Sequence, residues 1–190
     1  VSMADISKLR TMTGAGMMDC KKALTEAEGD FDKAVELIRK RGQAIAAKRS
    51  DRDAAQGCVL AAANAGFACI VALKCETDFV AKNADFVALT KQILDKAVEV
   101  KPSSKDELLG LMIGNSTIQQ LITDRSGVTG EKMELGEYTF VNGASTVAYV
   151  HPGNMLASIV AFNEAGLDIQ VYKDVAMQVA AMNPIAIDEK

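Results

Sequence analysis

Four cysteines, one histidine and one close pair of carboxylates are the side chains of this chain that could carry chemistry. Zinc would need four nitrogen or sulfur ligands in short-spaced pairs, but Cys20, Cys58, Cys69 and Cys75 contain no C-x-x-C and the sole histidine is His151. The cysteines therefore read as small buried hydrophobes, unlinked, in a reducing compartment. Nucleophilic or acid–base catalysis needs a nucleophile beside a base, and His151 stands before Pro152 in a predicted hairpin turn with no such partner in the sequence. It reads as a structural or contact residue. Glu76 and Asp78 are not read as a metal pair. "TGAG" (13–16) is glycine-rich, but no strand precedes it and no Gly-Lys-Ser/Thr follows, so it reads as a helix-breaking turn and not as a phosphate cradle. No catalytic residue, metal or cofactor is expected, and the chain is not read as an enzyme.

Binding surfaces remain. Met17 and Met18 follow the glycine turn and open a helix, and only one of two adjacent positions can face a small helical core. At least one methionine is then a flexible apolar contact, unless both fill the core around the turn. The second place is "CETDFVAKN" (75–83), where a strand-like pattern gives way to a helix-like one. Thr77 can cap the turn that follows it, leaving one apolar side chain to tuck in and another to project. If Val80 is the inward residue, Phe79 projects beside Asp78; otherwise Phe79 is core.

These residues are positioned by two dissimilar parts. Residues 1–53 hold 11 Lys/Arg against 9 Asp/Glu, leaving 10 against 16 for residues 54–190, within an overall net charge of −4. The asymmetry suggests two modules, and neither is basic enough to track a nucleic-acid backbone, so direct nucleic-acid binding is not expected. No apolar run reaches membrane-spanning length and no signal-peptide pattern opens the chain, so a cytoplasmic location without membrane attachment is expected.

In the first module Ser2 and Asp5 look like a capping box for a helix ended by the glycines of "TGAG". A second helix runs from about Met17 to Glu28 with Cys20, Leu24 and Ala27 on one face. Asp30 caps a third, whose Phe31, Ala34, Val35 and Ile38 repeat at helical spacing until Gly42. The spacing thus predicts a three-helix domain over 1–42 and a partly helical linker over 43–56. Residues 57–190 then read as an α+β core. "GCVLAAA" and "FACIVALKC" are strands around "NAG", with Cys69, Val71, Leu73 and Cys75 on one face. A helix follows over about 85–99, two strands flank Pro152-Gly153-Asn154, and a last helix covers 168–182. This order predicts an antiparallel sheet with helices on one face. Between the two units, Ser104 and Glu107 form a second capping box, helical patterning surrounds Ile118 to Ile122, and "RSGVTG" reads as a loop.

"LRTMTGAGMMDCKKAL" (9–24) and "CETDFVAKN" (75–83) closely resemble the two signature segments of the bacterial elongation factor Ts family, and the similarity continues through "DVAMQVAAMNP" (174–184). The resemblance implies a ubiquitin-associated-like three-helix domain, a linker and an α+β core. It also implies a guanine-nucleotide exchange factor whose partner is the GTPase elongation factor Tu. It assigns Arg10, Met17 and Met18 to the grip on the nucleotide-binding domain of the GTPase, and Asp78 and Phe79 to the pair that intrudes beside its nucleotide and magnesium. His151 falls near the core's own partner contact, although "PGN" after it is not the family's usual form. Longer members continue into further core and a helical hairpin, so this chain is expected to be a shortened form. The competing expectation is an adaptor that binds a partner helix through its helical module and exchanges nothing, which would need no projecting side chain at residue 79.

Overall fold

The computed structural model describes residues 1–189. Ser2 and Asp5 exchange side-chain and backbone hydrogen bonds at the start of α1 (Met3–Thr13), and Gly14 ends it in the left-handed region at φ 69°. α2 (Met17–Glu26) follows, and α3 (Phe31–Lys48) begins where the Asp30 carboxylate accepts the Lys33 N–H at 3.0 Å. Ile6, Leu9, Cys20, Ala23, Leu24 and Ala34 form their shared core.

α3 does not stop at Gly42 but runs on to Lys48, so residues 43–48 of the expected linker are helix and only the stretch to Gln56 is turn and extended chain. A glycine inside a helix costs about 1 kcal/mol of propensity. Here it is buried where α3 packs closely against a later helix.

β1 (Gln56–Asn64) and β2 (Phe67–Cys75) pair antiparallel through Ala65 and Gly66, both at positive φ, as a tight hairpin turn demands. After β2 come the short α4 (Asp78–Ala81) and the long α5 (Ala84–Val100), then α6 (Lys105–Gly110), the two-residue strands β3 (Met112–Ile113) and β4 (Ser116–Thr117), and α7 (Ile118–Thr129). β5 (Glu134–Asn142) joins the other edge of β2 and completes a three-stranded sheet in the order β1-β2-β5. β6 (Ser145–Val150) and β7 (Ala157–Phe162) form a separate antiparallel pair, and α8 (Ile169–Met182) packs on it through Tyr172 and Ala176.

The architecture is α+β, with antiparallel pairing throughout. The main core lies between β2, whose Cys69, Val71, Leu73 and Cys75 are fully buried on the predicted face, and Phe86 and Ile93 of α5 with Ile118 and Ile122 of α7. The two strand-strand-helix units do not share a sheet, however. β2 takes as its second neighbour β5, a strand absent from the sequence reading. "RSGVTG" is not a loop: residues 125–129 are the last turns of α7, capped by Gly130 at φ 72°.

Among the described residues, no helix is long and apolar enough to cross a membrane, no cluster of three His, Cys, Asp or Glu side chains is placed to hold a metal, and all four cysteines are free thiols.

Candidate functional site

Met17 and Met18 project because the turn before them is held from within. The Thr13 hydroxyl donates to the Leu9 carbonyl at 2.8 Å and accepts the Ala15 N–H at 3.3 Å, while the buried Cys20 thiol points to the Ala15 carbonyl at 3.7 Å. Ala15 is thereby drawn into the helical core, and Gly16 starts α2 without a side-chain cap. Cys20, Ala23 and Leu24 fill the inward positions of α2, leaving Met17 40% and Met18 65% exposed. Arg10, in the last turn of α1, is also exposed. Both methionines thus face solvent, and neither is needed to fill the small core.

The corner at 75–83 resolves the alternatives for Phe79. Its side chain is 84% exposed, whereas Val80 packs on the main core and Ala81 is buried. Thr77 is the N-cap of α4, its hydroxyl accepting the Val80 N–H at 3.4 Å, and Asn83 caps α5 by accepting from Asp85 at 3.0 Å. Two caps six residues apart leave α4 a single turn, with its inward side spent on Val80 and Ala81. Asp78 is exposed and pairs with Lys82 at 3.3 Å, an i,i+4 ion pair in full contact with water.

The strand end beneath Phe79 is tied down by residues that the sequence pattern did not single out. The Glu131 carboxylate accepts the Glu76 and Thr77 N–H groups, each at 3.0 Å, and the Thr77 hydroxyl at 2.5 Å. The Glu76 carboxylate in turn accepts the Lys132 N–H at 2.7 Å and pairs with Arg49 at 3.4 Å. Arg49 is the residue that ends α3, so the ion pair links the helical part of the chain to the corner.

His151 stands at the exposed end of β6, sharing a 2.8 Å hydrogen bond with the Tyr149 hydroxyl through Nδ1. Among the described residues, no carboxylate or thiol is hydrogen-bonded to its ring. A cleft of about 650 Å³ separates the helical part from the core, lined among others by Met12, Gly16, Arg39, Leu89 and Asp124. Burial pushes the Asp124 carboxyl above its ordinary range against the opposing pull of Arg39, which donates to it at 3.5 Å and to Ser116 at 3.0 Å. Arg39 thus ties α3 across the cleft to β4 through Ser116 and to α7 through Asp124. The predicted residues therefore lie on three separate elements: Arg10, Met17 and Met18 around the α1–α2 turn, Asp78 and Phe79 on α4, and His151 on the β6–β7 hairpin. Met17, Met18 and Phe79 are exposed large apolar side chains, with the charged Arg10 and Asp78 beside them.

The family described as "Elongation factor TS" matches residues 76–190. The chain is 62% identical over 188 residues to Elongation factor Ts of Porphyromonas gingivalis, covering 98% of this chain and 68% of that protein. It is 64% identical over 190 residues to Elongation factor Ts of Bacteroides thetaiotaomicron and 63% identical to that of Parabacteroides distasonis, in both cases over its full length and 57% of theirs. The chain thus spans a little over half to two thirds of the length of these relatives.

Proposed function

Because the chain belongs to the elongation factor Ts family, we propose that it binds elongation factor Tu and promotes exchange of GDP for GTP by disturbing the nucleotide and magnesium site of that GTPase. The observation that carries this reading is Phe79: a large aromatic side chain 84% exposed, on a one-turn helix anchored at both ends, beside an exposed carboxylate. An unburied aromatic gains nothing for the fold, and it is the residue type that most often anchors a partner contact.

In this reading Arg10, Met17 and Met18 grip the nucleotide-binding domain of the GTPase. Asp78 and Phe79 enter beside the nucleotide, and His151 meets the partner from the β6–β7 hairpin. Residues 1–42 act as the helical module, 43–56 as the connection and 57–190 as the core. The protein works in the cytoplasm, with no direct contact to nucleic acid and no membrane attachment.

The mechanism is thermodynamic coupling. Magnesium bridges the phosphates of the bound nucleotide and is held by few protein ligands, so a small displacement of the surrounding loops weakens nucleotide binding. A factor that binds the empty GTPase more tightly than the GDP-bound form lowers GDP affinity by the same ratio. No covalent bond is made or broken by the factor. The test is direct: the purified chain is added to elongation factor Tu loaded with fluorescent GDP. Faster release in proportion to added chain supports exchange, whereas binding without faster release supports the adaptor reading.

A further inference from the structure

We infer that Glu131 is a positioning residue for exchange: its carboxylate, 52 positions along the chain from Phe79, sets the direction in which that side chain projects. The inference rests on the exchange reading above and adds a residue to it.

Phe79 cannot orient itself. At 84% exposure it lacks the packing that fixes a core aromatic, so its direction is inherited from the backbone of α4 and from the strand end that enters α4. The ladder stops just before that point, because β2 pairs with β1 only as far as Cys75 and with β5 only as far as Lys74. The next two N–H groups, of Glu76 and Thr77, have no strand to donate to. One carboxylate takes both: Oε2 of Glu131 accepts each at 3.0 Å while its Oε1 accepts the Thr77 hydroxyl at 2.5 Å. Donating its proton to Glu131 leaves the Thr77 hydroxyl a lone pair for the Val80 N–H, the bond that caps α4. A single side chain thereby fixes the strand exit and the helix cap that bracket Asp78 and Phe79.

Glu131 is itself pre-set. Gly130 turns the chain at φ 72°, the Ser126 hydroxyl donates to the Glu131 carbonyl at 2.5 Å, and the Glu131 N–H donates to the Thr129 hydroxyl at 3.3 Å. The neighbouring bond runs the opposite way, since the Lys132 N–H donates to the Glu76 carboxylate at 2.7 Å. Two glutamates, Glu76 and Glu131, each bind the other's backbone segment, a reciprocal clamp that resists sliding and twisting together. Arg49 extends it to the end of α3 through its ion pair with Glu76. A carboxylate accepting three donors is worth more here than a general ion pair, because its bonds are charge-assisted and directional.

The test is a double-mutant cycle between Glu131→Ala and Phe79→Ala, read by release of fluorescent GDP from elongation factor Tu, with amide hydrogen exchange at Glu76 and Thr77 and a melting curve for every variant. Glu131→Gln, which keeps the shape and part of the accepting capacity, is run as the conservative partner. In the parent background Glu131→Ala is expected to slow release by about tenfold, equivalent to one lost hydrogen bond of net effect. Glu131→Gln should fall between it and the parent, with faster amide exchange at both positions in each variant. In the Phe79→Ala background the same substitution should change release less than about twofold, because a residue that acts through Phe79 has nothing left to position. An equal slowing in both backgrounds, or parental release by a Glu131→Ala protein that remains folded, overturns the positioning role while leaving the exchange reading intact. If Glu131→Ala does not fold, the Glu131→Gln arm of the cycle decides by the same criterion. Failure of the parent chain itself to speed release overturns both.

Discussion

Gly42 of α3 and Gly127 of α7 meet backbone to backbone, but unequally: a Cβ added to Gly127 would collide with the Gly42 Cα, whereas one added to Gly42 would clear the Gly127 Cα at 3.5 Å. This contact sets the helical part of the chain against the core, and the glycine it requires is Gly127 of α7, while α3 runs on through Gly42 to Lys48.

The asymmetry predicts opposite outcomes for the same substitution. Gly42→Ala should be neutral or stabilising by up to about 1 kcal/mol, since alanine is the better helix former and meets only ordinary contact. Gly127→Ala should destabilise by about 1–3 kcal/mol, because the obstruction is backbone and cannot swing aside. Thermal melts of the two variants check this; equal shifts would show that the helices adjust freely.

Where a local rule governed, the sequence was readable. The Ser2, Asp30 and Ser104 caps, the alternating face of β2 and the turn at Ala65-Gly66 follow from side-chain chemistry within a few residues. The failures are long-range or irregular. β5 is hidden because its alternation breaks at Gly136, where the register with β2 slips by one residue, so Leu135 and Tyr138 are buried at a spacing of three. α3 overruns Gly42 because its later turns pack against α7, a contact that no local pattern reveals. In the candidate site, the projection of Phe79 followed only if Val80 turned inward, which depends on packing that local pattern cannot decide. Glu131 had no signal at all, since its partners are 54 and 55 positions earlier.

The thiols should be silent in the native protein. Burial pushes Cys69 and Cys75 up to about 11 and raises Cys58 above its usual value, so thiolate is scarce at neutral pH, and Cys20 is fully buried. A thiol-specific reagent near pH 8 should find close to none before denaturation and four after it, without added reductant. The same shifts set a pH dependence. The unfolded thiols ionise near 9 while the folded ones stay neutral, so stability from this source is intact below that pH and is lost as pH rises towards about 11. Stoichiometric labelling of folded protein at neutral pH would contradict the burial argument.

Replacing Met17 and Met18 together with alanine should weaken binding to elongation factor Tu by about 1–3 kcal/mol while moving the melting temperature little, as for exposed apolar anchors. Calorimetric titration beside a melting curve separates the two effects. A large loss of stability with unchanged affinity would place the methionines in the helical core instead.

The role of Phe79 in exchange is tested by stopped-flow release of fluorescent GDP from elongation factor Tu by the parent chain and by Phe79→Ala, with a melting curve on each. The exposed position of Phe79 predicts that truncation leaves stability nearly unchanged, in contrast to the roughly 3–5 kcal/mol lost when a buried Phe is truncated. Release should slow substantially, and Asp78→Asn, which keeps the shape but removes the charge, should slow it less. A Phe79→Ala protein that exchanges nucleotide at the parental rate would contradict the wedge, whatever its stability.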